Sequence, residues 1–168
     1  ADGLGADHHP RVLDHLEHLR DAVVHLAEQP ADGRGAVRPE GVKDMTVKKL
    51  GVMGAGMMGA GIAFVSARVG IEVVLLDRDQ DAADKGLATI QGLLDQGVKR
   101  KKLNAEKAAE IISRVTATPN YEALTGCDLI VEAVFEDPTI KATVTKAAEE
   151  QLDAEAIFAT NTSTLPIT

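Results

Sequence analysis

Three glycines with the spacing G-x-G-x-x-G stand where a short apolar run ends and a helical pattern begins. They are Gly54, Gly56 and Gly59. In a turn of this kind the first glycine permits the tight bend, the second lets the backbone approach a bound group, and the third lets helix and strand pack closely. The N–H groups at the start of the helix would then face negative phosphates. The spacing therefore predicts a pyrophosphate site.

An acidic residue, Asp77, ends the next apolar run, about 20 positions after the glycines. Its carboxylate can accept both hydroxyls of an adenosine ribose and would repel a 2′-phosphate, which favours NAD over NADP. Arg78 argues against this preference, because an arginine there can accommodate a 2′-phosphate, although such an arginine more often stacks on the adenine or faces water. Together the glycines and Asp77 predict an NAD site. The alternatives are a glycine-rich turn that binds nothing and a flavin-binding fold.

Strand and helix patterns alternate from Val47 to the end of the sequence. Strands are predicted at residues 49–53, 72–76, 115–118, 129–133 and 157–160. Helices are predicted from the glycine loop to about Val69, after Asp79, over residues 105–113 with Asn104 as the cap, and from Asp137 and Pro138 to near Gln151. This alternation predicts an α/β fold with a doubly wound parallel sheet of the Rossmann type.

The first 46 residues differ in pattern from the rest. Residues 11–29 have helical periodicity, and a stretch rich in glycine, proline and charge follows from Pro30 to Asp44. The apolar positions of the helix lie four and three residues apart, at Val12, Leu16, Leu19, Val23 and Leu26. We therefore predict two regions: an N-terminal helix and linker at 1–46, and a Rossmann domain at 47–168.

Composition excludes several classes of function. The net charge of -8 argues against general binding of nucleic acids, which needs a basic surface. The single cysteine, Cys127, cannot form a disulfide framework within the chain and is expected to be a small buried residue. His15, His18 and His25 could share one helix side, but scattered surface histidines are favoured over a metal site. With no membrane-spanning run and no signal peptide, we expect a cytoplasmic protein.

Two motifs later in the sequence indicate which kind of Rossmann domain this is. Residues 129–138 read Leu-Ile-Val-Glu-Ala-Val-Phe-Glu-Asp-Pro, and residues 161–168 read Asn-Thr-Ser-Thr-Leu-Pro-Ile-Thr. With these motifs, the chain from Val47 onward closely resembles the NAD-binding domain of 3-hydroxyacyl-CoA dehydrogenases, especially the one within multifunctional fatty-acid oxidation proteins. Other β-hydroxyacid dehydrogenases share the glycine loop but not both later motifs.

The resemblance implies a set of site residues. Met58 and Asp77 would contact the adenosine half of NAD. The loop from Ala133 would line the ribose and nicotinamide region, with contacts from Val134, Phe135, Glu136 and Lys141. Asn161 and Ser163 would lie where the nicotinamide meets the substrate, and Ser163 is favoured as a substrate contact. Three of these residues also have an alternative role that involves no ligand. Glu136 could be a charge at a helix start, Lys141 could lie on a solvated helix face, and Ser163 could be a turn residue.

The resemblance also implies a reaction, the oxidation of the 3-hydroxyl of an acyl-CoA to a ketone with hydride transfer to NAD. In the family a histidine held by a glutamate is the general base, and both would follow Thr168. We therefore expect this chain to bind NAD, to lack turnover on its own, and to form a homo-oligomer. The acyl-CoA would be a partner of the complete enzyme only. The alternatives are a stand-alone NAD-binding module and the cofactor domain of another β-hydroxyacid dehydrogenase.

Overall fold

The structure is a computed structural model that describes residues 46–161. The predicted N-terminal helix and linker, and Ser163, lie outside the described residues. The elements in chain order are β1 (Lys49–Met53), α1 (Met57–Arg68), β2 (Glu72–Leu76), α2 (Gln80–Lys99), α3 (Ala105–Ser113), β3 (Val115–Thr118), β4 (Leu129–Glu132), α4 (Pro138–Glu149) and β5 (Ile157–Thr160). A short 3₁₀ helix, Tyr121–Leu124, precedes β4. Each predicted strand and helix of this region is present, and β4 is one residue shorter than predicted.

The five strands form one parallel sheet in the order β3-β2-β1-β4-β5. This order confirms the predicted doubly wound Rossmann-type fold. The chain builds outward from β1 in one direction, then returns to its other side with β4, so the winding reverses between β1 and β4. In such sheets ligands bind in the crevice at the carboxyl ends of the strands beside this reversal.

Helices lie on both faces of the sheet, which explains why its central strands are apolar on both faces. One core cluster lies between the sheet and the first three helices, and it includes Val52, Leu75, Ile90 and Leu94. The other lies under the 3₁₀ helix and α4, and it includes Met53, Leu124 and Ile130. Among the described residues, no helix is long and apolar enough to cross a bilayer.

Three of the four helices begin at a side-chain cap. Asp79, Asn104 and Asp137 each accept a hydrogen bond from a backbone N–H in the first turn of α2, α3 and α4, respectively. A cap of this kind stabilises a helix by about 1 kcal/mol. The caps Asn104 and Asp137 were predicted from the sequence, and α2 begins after Asp79 as predicted. α1 differs, because its N-cap is Gly56, which has no side chain to offer.

Asp128 joins the amino ends of β1 and β4. Its Oδ2 accepts hydrogen bonds from the backbone N–H of Lys48, at 2.7 Å, and of Lys49, at 2.9 Å. The Lys49 ammonium in turn donates to the carbonyls of Ala123 and Thr125. These contacts fix the register of the central strand pair across 80 residues of sequence.

Cys127 is buried, as expected from its sequence context. Burial raises the pKa of the thiol from its ordinary value of 9.0 to about 11. We expect the folded chain at pH 8 to react with a disulfide reagent about 100-fold more slowly than the unfolded chain, because the thiolate is the reactive form. Since folding disfavours this thiolate, its titration should lower the free energy of unfolding as the pH rises from about 9 to 11. Stopped-flow labelling with and without denaturant measures the first effect, and equal rates would contradict it.

Candidate functional site

The glycine loop between β1 and α1 is packed against the loop that follows β4. Gly54 has a φ of +95°, which other residues adopt only with strain, and a Cβ on it would lie 2.6 Å from the Ala133 carbonyl oxygen. Its N–H donates to the Leu76 carbonyl at 2.7 Å. A Cβ on Gly59 would overlap the carbonyl oxygen of Gly54. Two of the three glycines are therefore required by close packing.

Gly56 differs, because a Cβ on it would meet nothing within 4 Å. It is exposed and stands at the start of α1. The first-turn N–H groups of a helix have no intrahelical acceptor. Here the N-cap supplies no side chain, and the first turn contains no acidic residue. The open space beside Gly56, the free N–H groups and the positive end of the helix dipole suit a phosphate group.

Asp77 follows β2 and anchors the glycine loop. Its Oδ2 accepts from the Ala55 N–H at 2.6 Å, and its Oδ1 accepts from the Arg78 N–H at 2.7 Å. A carboxylate has about four lone-pair positions, so two N–H donors leave acceptor capacity for two hydroxyl groups. Asp77 is half-buried and therefore remains accessible. This arrangement fits a ribose with two free hydroxyls.

Two further residues were predicted for the adenosine half of the site, Arg78 and Met58. The Arg78 side chain is 83% exposed, and its Nε lies 3.0 Å from Asp79 Oδ2. The N–H of Ala82, and after it the Arg78 guanidinium, lower the pKa of Asp79. Met58 is half-buried in the first turn of α1.

Tyr121, in the 3₁₀ helix after β3, was not predicted as a site residue. Burial, and to a smaller degree the negative charge of Asp77, raises the pKa of its phenol. The hydroxyl is therefore protonated at neutral pH and lies within electrostatic reach of the Asp77 carboxylate. No local motif marks this tyrosine, because only the sheet brings the two residues together.

The loop from Ala133 to Asp137 leaves the carboxyl end of β4 beside the glycine loop. The Ala133 N–H donates to the Met53 carbonyl at 2.8 Å, and the Val134 N–H donates to Glu132 at 2.8 Å. Phe135 is 78% exposed, and Glu136 is exposed as well. Asp137 makes the capping hydrogen bonds of α4, and Glu136 stands one residue before it, where a negative charge also suits the helix dipole. Both exposed side chains are available to a ligand.

Lys141 lies in the second turn of α4, and its side chain is only 12% exposed. Its ammonium contacts both carboxylate oxygens of Glu132, at 2.9 and 3.0 Å. The alternative interpretation, a lysine on a solvated helix face, is therefore wrong. Glu132 lies within the quoted motif, but sequence reasoning assigned it no role.

Asn161 follows β5, is exposed, and donates its N–H to the Glu132 carbonyl at 2.7 Å. The last residues of β1, β2, β4 and β5 are in register, so the loops that follow them share one edge of the sheet. All predicted site residues within the described range lie at this edge or in the first two turns of the helices beside it. Among the described residues, no group of three potential metal-ligating side chains comes together.

Comparison with known proteins decides the family. The family model described as "3-hydroxyacyl-CoA dehydrogenase, NAD binding domain" matches residues 49–168. The chain belongs to the 3-hydroxyacyl-CoA dehydrogenase family. The family resemblance inferred from the sequence is confirmed, and so is NAD as the cofactor that this domain binds.

Two curated relatives of the dehydrogenase domain are alpha subunits of the fatty acid oxidation complex. The protein from Colwellia psychrerythraea is 36% identical over 142 residues, which are 84% of this chain and 20% of the relative. The protein from Idiomarina loihiensis is 40% identical over 107 residues, which are 64% of this chain and 15% of the relative. The chain therefore spans a fifth or less of the length of these relatives.

A solved dehydrogenase of this family has the same architecture. The (S)-3-hydroxybutyryl-CoA dehydrogenase from Ralstonia eutropha superposes with a TM-score of 0.69 at 33% sequence identity. The match covers 71% of this chain and 42% of that protein. The similarity thus extends over a cofactor domain and not over the whole of either chain.

Proposed function

We propose that the chain is the cofactor-binding part of an enzyme that oxidises 3-hydroxyacyl-CoA to 3-ketoacyl-CoA. The observation that carries the proposal is the shared edge at the carboxyl ends of β2, β1 and β4. There the uncapped start of α1, the accessible Asp77 carboxylate and the Lys141 ammonium follow the carboxyl ends of neighbouring strands. The family match over residues 49–168 supports the substrate class.

The two halves of the cofactor would contact different parts of this edge. The N–H groups around Gly56 and Met58 would bind the pyrophosphate, and Asp77 would accept the adenosine ribose hydroxyls. Val134, Phe135, Glu136, Lys141 and Asn161 would line the nicotinamide half. Bound NAD supplies the hydride acceptor. Ser163 would contact the substrate oxygen, as in the family that the chain resembles.

The charges along this edge of the sheet are consistent with the proposed placement of the two halves of the cofactor. The helix start offers partial positive charge to the phosphates without a competing carboxylate in the first turn of α1. Asp77 places one negative charge at the end where a 2′-phosphate would lie, which disfavours NADP. Exposed Phe135 provides an apolar surface for a flat ring on the other side of the cleft.

Calorimetric titration of the 168-residue chain with NADH and with NADPH tests the proposal. We expect NADH to bind with one site per chain and NADPH to bind more weakly. Absence of NADH binding by a chain with a cooperative thermal transition would overturn the cofactor assignment. Assay of the parent enzyme with 3-hydroxyacyl-CoA and with short hydroxyacids then tests the substrate class, and a preference for the hydroxyacids would contradict it.

Removing the charge of Asp77 should change cofactor choice. In Asp77→Asn the amide oxygen can still accept the Ala55 N–H, so the glycine loop keeps its anchor. We expect the preference for NADH over NADPH to fall about tenfold, because the repulsion of the 2′-phosphate is gone. Asp84→Asn, on the exposed part of α2, is the control for net charge and should leave the preference unchanged. A wild-type chain that already prefers NADPH would show that Arg78 dominates.

A further inference from the structure

Glu132 is a buried carboxylate at the carboxyl end of the sheet. It is the last residue of β4, and it is 1% exposed. Burying a charge is costly unless partners and hydrogen bonds compensate for the lost water. A carboxylate in this position therefore requires a specific set of donors.

Those donors come from three separate segments of the chain. The Oε1 atom accepts from the Val134 N–H at 2.8 Å and from the Lys141 ammonium. The Oε2 atom accepts from the Thr160 hydroxyl at 2.7 Å and from the same ammonium. The carboxylate thus joins the β4–α4 loop, the second turn of α4 and the end of β5. No buried side-chain polar atom of the described residues lacks a partner.

The ion pair fixes a side chain that would otherwise have many rotamers. A lysine ammonium has three N–H donors. Among the described residues its hydrogen bonds are the two with Glu132, so one donor remains for a ligand. A lysine held by a carboxylate presents this donor in one direction, which lowers the entropy lost on binding.

We propose that Glu132 is a positioning residue for the nicotinamide half of the cofactor, acting through Lys141. This inference rests on the proposed function, because it needs the cofactor to reach Lys141. Glu132 itself makes no contact with the ligand. It holds the ammonium in place, so that Lys141 is in position before the cofactor binds.

A purely structural role would give a different result. If Glu132 only stabilised the fold, its loss would weaken all ligands of the domain alike. A positioning role predicts an effect confined to ligands that reach Lys141. ADP carries the adenosine and pyrophosphate alone, whereas NADH carries both halves. Comparison of the two ligands therefore separates the two roles.

The experiment titrates NADH and ADP into the wild-type chain, Glu132→Gln, Lys141→Met and the double variant. We expect Glu132→Gln to weaken NADH about tenfold and to change ADP by less than about twofold. In the Lys141→Met background, Glu132→Gln should change NADH affinity by less than about twofold, since the residue through which it acts is gone. Glu149→Gln, at the exposed end of α4, is the matched control.

Three outcomes would overturn the inference: unchanged NADH affinity in Glu132→Gln, equal weakening of both ligands, or the same loss in the Lys141→Met background. A wild-type chain that binds no NADH would instead overturn the proposed function. Should Glu132→Gln fail to fold, Thr160→Val replaces it, because it removes one donor and leaves the ion pair. That variant should weaken NADH about threefold, and only when Lys141 is present. A loss that is independent of Lys141 would refute the proposal.

Discussion

The variant Gly56→Val should fold as the wild type does and lose NADH binding by about 100-fold or more. A Cβ here meets no protein atom within 4 Å, and the φ of Gly56, -67°, is open to any residue. The fold should therefore tolerate the valine. The same space is where the backbone would approach the pyrophosphate, so the valine would exclude it. Calorimetry with NADH, together with a melting curve, measures both effects.

Gly92→Val is the matched control for this substitution. Gly92 lies in α2, away from the glycine loop, and a Cβ on it also meets nothing within 4 Å. It should bind NADH with wild-type affinity. If Gly56→Val retained wild-type affinity in a folded chain, the pyrophosphate could not lie at the start of α1.

The variant Gly59→Ala should be less stable than the wild type, because there is no space for its methyl group. The added Cβ would overlap the carbonyl oxygen of Gly54. This residue cannot easily move away, because its N–H donates a hydrogen bond to the Leu76 carbonyl. We expect the free energy of unfolding to fall by about 3 kcal/mol. The melting temperature should fall by about 10 °C for a domain of this size. Chemical denaturation of the ligand-free chain gives the value without any contribution from NADH.

A glycine-to-alanine substitution elsewhere in a helix should raise the free energy of unfolding instead of lowering it. Gly92→Ala meets no steric obstacle, and alanine is favoured over glycine within a helix by up to about 1 kcal/mol. Wild-type stability in Gly59→Ala would show that the loop can move away, and the packing argument for this glycine would fail. The pair separates steric overlap from helix propensity.

The features of the fold that were predicted are those determined by residues close together in the chain. Asp79, Asn104 and Asp137 each precede a run with helical periodicity, and each caps a helix in the structure. The glycine spacing likewise predicted the turn after β1, because its conformational demands fall within six residues. A cap or a turn involves neighbours in the chain, so short motifs suffice to find it.

The parts that were missed depend on contacts between distant segments. Glu132 has partners on α4 and at the end of β5, 28 residues away for Thr160. Tyr121 is placed near Asp77 by the pairing of β2 with β3. The low exposure of Lys141 comes from its contact with Glu132, nine residues earlier in the chain. In each of these pairs, the sequence around one residue does not indicate which residue will be its partner.

The strand order also governs how the binding cleft comes into being during folding. Strand β1 finds β2 after one helix, but its pairing with β4 closes a loop of about 80 residues, held at one end by Asp128. Closing a longer loop costs more chain entropy, and sheets with such distant pairings fold slowly. The nicotinamide half of the proposed site lies on the loops after β4 and β5, so a chain in which only β1, β2 and β3 have paired has only the other half. Acquisition of NADH binding should therefore be among the last events of refolding, later than the formation of the first helices.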